Sequence, residues 1–153
     1  MQLILWRHAQ AHEGSPDLER ALTARGHRDA AKVAAWLRPR LPQGPVTVLC
    51  SPAQRTRQTA QALGLPLTID AALAPGADVE AVLHACGWPQ HREATVIAVG
   101  HQPWIGAVVA GVVGGVSASW AVRKGAFWWL QARPGDARGE VRVNMVLSPE
   151  ALD

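Results

Sequence analysis

The run Leu3-Ile4-Leu5-Trp6-Arg7-His8 decides how the chain is read. Four consecutive apolar residues without polar alternation mark a strand buried on both faces, as in a parallel sheet with helices above and below. Two basic residues follow at once, at the carboxyl end of that strand. Ligands of open α/β sheets bind at this end. The pattern recurs twice. Val46-Thr47-Val48-Leu49-Cys50 reads as a second strand and leads through Ser51-Pro52-Ala53-Gln54 to Arg55. Thr95-Val96-Ile97-Ala98-Val99 reads as a third and ends in Gly100-His101.

Helical patterns fill the gaps. Thr23 to Arg38 carries Ala30, Val33, Ala34 and Leu37 on one stripe, and Pro39 and Pro42 end it. Ser51 as N-cap, Pro52 at the first helical position and Gln54 closing a capping box start a second helix. Asp78 to Cys86 predicts a short third helix, and Pro103 opens a fourth that runs to about Val113. Ala126 to Gln131 and Val141 to Leu147 read as a hairpin joined through Arg133-Pro134-Gly135-Asp136. The expected fold is α/β: a three-layer sandwich whose mostly parallel central sheet has helices on both faces, with a C-terminal hairpin. One domain over residues 1–153 accounts for the length.

Composition excludes several classes. Hydrophobic residues make up 48% and charged residues 18%, which predicts a packed interior rather than disorder. The net charge of +3 and pI of 9.5 come without a basic run, so no nucleic-acid partner is expected. Cys50 and Cys86 are too few for a disulfide framework or a zinc site, and no metal or other cofactor is predicted. The opening Met1-Gln2-Leu3-Ile4-Leu5 has no basic lead-in and predicts no signal peptide. Trp104 to Val116, the longest apolar run, falls short of the ~20 residues of a membrane span. A reduced, cytoplasmic protein without membrane contact is the expectation.

Arg7, His8, Arg55 and His101 are therefore expected to converge at one sheet edge. Two guanidinium forks and two imidazoles suit a phosphate dianion: the forks bind its oxygens and an imidazole can act on phosphorus. His27, His84 and His91 lie in or beside helices and read as ordinary core or surface residues; Arg57 reads as solvated on another helical face. Cys50 before an arginine-bearing helix raises the possibility of a cysteine phosphatase. That loop would need arginine at position 56, where Thr56 stands, so Cys50 reads as a buried small residue. Of the seven tryptophans, Trp6, Trp36, Trp128 and Trp129 read as core. Trp104 could border the pocket, with packing the better default.

Three segments together resemble the histidine phosphatase (phosphoglycerate mutase-like) superfamily: Leu5-Trp6-Arg7-His8-Ala9, Ser51-Pro52-Ala53-Gln54-Arg55-Thr56-Arg57-Gln58-Thr59-Ala60 and Val99-Gly100-His101. Leu22-Thr23-Ala24-Arg25-Gly26 and Leu147-Ser148-Pro149 resemble the SixA-type phosphohistidine phosphatase branch. The resemblance implies that His8 is the nucleophile, that Arg7 and Arg55 bind the phosphoryl oxygens, and that His101 completes the pocket and stabilises transition-state charge. Neighbouring arginines are expected to keep His8 unprotonated. The implied partner is a phosphorylated protein, such as a histidine phosphotransfer domain, or a small phosphate ester.

Departures from the pattern refine this expectation. Ala9, Ala11 and Gly14 replace the glycine, threonine and asparagine of the mutase signature, which speaks against sugar-phosphate mutase activity. The superfamily's acidic residue aligns near Ala72. Glu13, Asp17 and Asp78 are the candidate substitute acids, each of which also reads as an ordinary solvated or helix-start carboxylate. A missing acid favours a phosphoramidate, whose imidazole leaves more readily than an alkoxide. The alternatives are a small-molecule phosphomonoesterase using one of those acids and a non-catalytic phosphate-binding module.

Overall fold

Strand β1 (Gln2–Arg7) is hydrogen-bonded on both edges, with β4 (Thr95–Gly100) parallel on one side and β5 (Phe127–Ala132) antiparallel on the other. Beyond β4 come β2 (Val46–Cys50) and then β3 (Leu67–Ile69), both parallel to it; beyond β5 comes β6 (Val141–Leu147). The result is one six-stranded sheet in the order β3-β2-β4-β1-β5-β6. The computed structural model describes residues 1–91, 93–133 and 140–153, and most of the expected Arg133–Asp136 turn lies outside these residues.

Side-chain alternation divides the core. Leu3 and Leu5 of β1 join Val96, Ala98 and Leu130 on one face, with Val82 of α3 (Val79–Ala85) and Ile105, Val108 and Val109 of α4 (Trp104–Gly114). Ile4 and Trp6 join Ile97, Val99 and Phe127 on the other. There they meet Ala30, Val33, Ala34 and Leu37 of α1 (Ala24–Leu37) and Ala60 of α2 (Gln54–Gln61). Each fully buried Leu or Ile contributes roughly 1.5–3 kcal/mol, and β1 alone supplies such residues to both faces. The α/β sandwich with helices on both faces and a C-terminal antiparallel pair is the fold the apolar runs imply.

Two local features differ from the sequence reading. Strand β3 was not expected: it is three residues long, follows Pro66, and leaves Thr68 and Ile69 exposed, so it lacks a readable apolar pattern. The start of α2 also differs. Its N-cap is Ala53, without a side-chain cap, and no Ser51–Gln54 capping box forms. The Ser51 hydroxyl accepts instead from the Ala53 N–H at 3.2 Å and is shared with a distant histidine.

The N-terminus of α1 is built against the loop that follows β1. Thr23 caps the helix, its hydroxyl accepting from the Gly26 N–H at 3.0 Å while donating to the Gln10 side chain at 2.9 Å. A Cβ on Gly26 would collide with the Gln10 main-chain carbonyl. That carbonyl accepts from the Thr23 N–H at 3.0 Å and has no slack to yield. Gly26→Ala should therefore lower unfolding stability by about 1–3 kcal/mol, as overpacking against fixed backbone does. Urea denaturation measures this, and an unchanged midpoint would mean that the Gln10 loop moves freely.

Candidate active site

Arg7, His8, Arg55 and His101 meet at the carboxyl ends of β1, β2 and β4. The Arg7↔Gly100 register continues for one more hydrogen bond, from the His8 N–H to the Gly100 carbonyl at 3.0 Å. The two imidazoles consequently face each other with ring centroids 5.3 Å apart and planes inclined at 57°. Their surroundings bury both rings.

Hydrogen-bond partners assign the protons. The Ala9 carbonyl can only accept, so His8 donates to it from Nδ1, at 2.7 Å. The lone pair of His8 is then on Nε2, which makes no hydrogen bond among the described residues. A guanidinium can only donate, so Arg55 Nη2 donates to His101 Nδ1 at 3.4 Å, and His101 Nε2 donates to the Ser51 hydroxyl at 2.7 Å.

Both arginines are held by main-chain carbonyls. Arg7 Nη1 donates to the Val122 carbonyl at 2.6 Å, and Arg55 Nη1 to the Asp17 carbonyl at 2.7 Å. Arg55 Nη2 also donates to the Asp17 carboxylate at 3.0 Å. The Nε atoms of both arginines are buried without a partner among the described residues. Arg57, by contrast, is exposed, as are His27, His84 and His91.

Burial drives the imidazole pKa values. His8 is pushed down to about 4, first by desolvation, against the raising effect of the Ala9 carbonyl, and further by Arg55, Arg7 and Lys124. The expected influence of the arginines is real but secondary to burial. His101 is pushed down to about 3 by desolvation, with His8 and Arg55 adding to it. Both rings are therefore neutral near pH 7, which leaves His8 Nε2 able to attack an electrophile.

The three candidate acids sit differently. Asp17 is held below the usual carboxylate range by hydrogen bonds from Arg55 and then Arg20, so it is ionised near neutrality and has no proton to give. Asp78 caps α3, accepting from the Ala81 N–H at 3.1 Å. The Glu13 side chain is 91% exposed, 3.8 Å from Arg20. Ala72 lies in a short 3-10 turn capped by Asp70, a carboxylate the sequence reading passed over, whose oxygen accepts from the Ala72 N–H at 2.8 Å.

Other site contributors were missed in the sequence. Ser51 is the hydrogen-bond partner of His101, fifty positions away, and nothing local signals it. Thr59 accepts from the Ala9 N–H at 3.1 Å, and Gln58 accepts from the Leu22 N–H at 2.7 Å. These two residues pin the His8 loop and the Leu22–Gly26 segment to α2. Trp104 is buried, with its indole over Gly100 where a side chain would otherwise project, as the packing reading expects.

The neutral rings carry a measurable consequence. Below the ordinary imidazole value of 6.5 the unfolded chain takes up protons at these positions that the folded chain refuses until about pH 4 for His8 and about pH 3 for His101. Stability from these groups is thus complete above pH 6.5 and falls as the pH drops through that window. Urea unfolding at pH 7 and pH 5 should show the loss, on the order of 1–2 kcal/mol per ring. Imidazole nitrogen NMR at neutral pH should show His8 protonated at Nδ1 alone. Charged rings at pH 6 would contradict the buried geometry.

The chain as a whole is similar to known proteins. The family model for the histidine phosphatase superfamily (branch 1) matches residues 3–76. No curated protein matches the sequence. Among solved structures, SixA from Nakamurella multipartitia is 31% identical, with a TM-score of 0.81 over 97% of this chain and 95% of that one. The protein histidine phosphatase SixA complexed with tungstate is 27% identical, with a TM-score of 0.84 over the full length of both. A phosphoserine phosphatase from Entamoeba histolytica shares the fold at 15% identity, with a TM-score of 0.72 over 97% of this chain and 98% of that one. A sheet edge that gathers two arginines and two neutral histidines, on a chain this similar over its whole length, has one reading: the protein belongs to the histidine phosphatase superfamily.

Proposed function

We propose that residues 1–153 form one metal-independent phosphohistidine phosphatase domain in which His8 carries the phosphoryl group covalently. The observation that carries this reading is the bare Nε2 of a neutral His8 beside Arg7, Arg55 and His101. Nε2 attacks phosphorus, the bond from phosphorus to the substrate imidazole breaks, and that ring nitrogen keeps the electron pair. A phosphoimidazole protonated on its other nitrogen leaves as neutral imidazole, so the step calls on no carboxylic acid. Water then attacks the phosphorylated His8, its proton leaves with inorganic phosphate, and Nε2 regains its lone pair.

Arg7 and Arg55 balance charge on the phosphoryl oxygens, the main contribution a protein makes to such transfers. His101 completes the pocket. The Ser51 hydroxyl accepts from His101 Nε2 and so holds the ring with Nδ1 toward Arg55. The ionised Asp17 and the capping Asp78 support a substrate that needs no external acid.

A phosphorylated protein, such as a histidine phosphotransfer domain, is the substrate that fits best. Its support is the similarity to the protein histidine phosphatase SixA and the exposed apolar side chains next to the arginine clasps. Leu18 follows Asp17 and is 47% exposed; Trp120 lies two residues before Val122 and is 36% exposed.

Phosphate release from a phosphohistidine protein, a phosphoserine peptide, a sugar phosphate and an activated aryl phosphate tests the proposal, without added metal. The expected result is release from the phosphohistidine and aryl substrates, reduced by about 10³-fold or more in His8→Ala. Equal release by both proteins would remove His8 as nucleophile. Comparable turnover of phosphoserine would favour a phosphomonoesterase, and phosphate binding without any release would indicate a binding module.

A further inference from the structure

We infer that Asp17 is a positioning residue that sets Arg55 for phosphate binding, rather than an acid. The inference rests on the phosphate-binding reading of Arg55 and extends it to a residue of the surface loop. Asp17 offers Arg55 two acceptors at once, its main-chain carbonyl to Nη1 at 2.7 Å and its carboxylate Oδ2 to Nη2 at 3.0 Å. The two terminal nitrogens of one guanidinium are thereby clamped from the same residue, which fixes the plane of the fork as well as its position.

The clamp is itself braced. Asp17 Oδ1 accepts from Arg20 Nη1 at 3.0 Å, and Arg20 Nε donates to the His12 carbonyl at 2.7 Å. On the far side, Arg55 Nη2 reaches His101, which is held by Ser51. A continuous polar chain therefore runs from the His12 loop through Arg20, Asp17, Arg55 and His101 to the start of α2. Asp17 is the member of this chain that joins an exposed loop to a buried cation: its side chain is 54% exposed, against 5% for Arg55.

An anion beside an anion site could act in two opposite ways. It can compete with phosphate for Arg55, or it can hold Arg55 where phosphate needs it. Both acceptors of Asp17 engage the two terminal nitrogens; the second N–H of Nη2 goes to His101, and a second N–H on Nη1 and the Nε–H remain. Arg20 also shares the carboxylate charge, which limits the repulsion felt by an incoming phosphate. The geometry therefore favours holding over competing.

Tungstate binding, measured by calorimetry at neutral pH, tests this without requiring turnover. Wild type, Asp17→Ala, Asp17→Asn and Arg55→Ala are compared, alongside KM for an aryl phosphate. Asp17→Ala should weaken tungstate binding about tenfold and raise KM in parallel, and Asp17→Asn, which keeps one acceptor oxygen, should recover part of the loss. A thermal midpoint for each variant separates these changes from unfolding. Binding by Asp17→Ala equal to or tighter than wild type would overturn the inference, the tighter result marking Asp17 as a competitor. Failure of wild type to bind tungstate, or unchanged binding by Arg55→Ala, would instead overturn the phosphate-site reading on which the inference stands.

Discussion

The pairing of β1 with β4 is the constraint from which the site follows. Parallel strands in register bring their carboxyl ends level, so the residues just past each end emerge side by side. Here the ladder runs from Gln2↔Thr95 to Arg7↔Gly100, and the His8 N–H extends it onto the Gly100 carbonyl. A slip of one residue would exchange the two faces of β1, sending Leu3 and Leu5 where Ile4 and Trp6 now pack. Burial on both faces forbids that slip, and the same burial places His8 opposite His101.

Electrostatics at the site depend on how the cations are held. A main-chain carbonyl satisfies an N–H of Arg7 through a dipole, without cancelling its charge, and Val122 supplies it. The imidazoles lose their protons to the same buried surroundings. The edge is therefore positive at Arg7, carries the Arg55–Asp17 ion pair and is neutral at its histidines. That combination suits an anion while leaving the His8 Nε2 lone pair unprotonated.

Much of this was legible in the sequence because it rests on local signals. Leu3 to Trp6 announces a buried strand, Ala30 to Leu37 an amphipathic helix, and basic residues after three apolar runs mark one sheet edge. The unread features are those made by distant partners. Ser51 looked like a helix cap because the reading sees only neighbours, whereas its hydroxyl is taken by His101 across the sheet end. Asp17 reads in the sequence as a candidate acid or a solvated loop carboxylate, and its hold on Arg55 exists only in the folded chain. Gln58 and Thr59 lie in a recognisable motif, yet their roles as loop anchors appear only once α2 is set beside Leu22 and Ala9. β3 went unread for a different reason: an edge strand of three residues buries too little to leave a pattern.

The two histidines differ in what fixes them. His8 is oriented by the carbonyl of Ala9, a main-chain group that every amino acid carries. His101 is oriented by the hydroxyl of Ser51, which only a few side chains can replace. A substitution at residue 9 therefore keeps the carbonyl that His8 uses, whereas one at residue 51 can remove the hydroxyl that His101 uses. Drift in a lineage of such chains would find the pose of the first ring tolerant of side-chain change at its partner residue and that of the second sensitive to it.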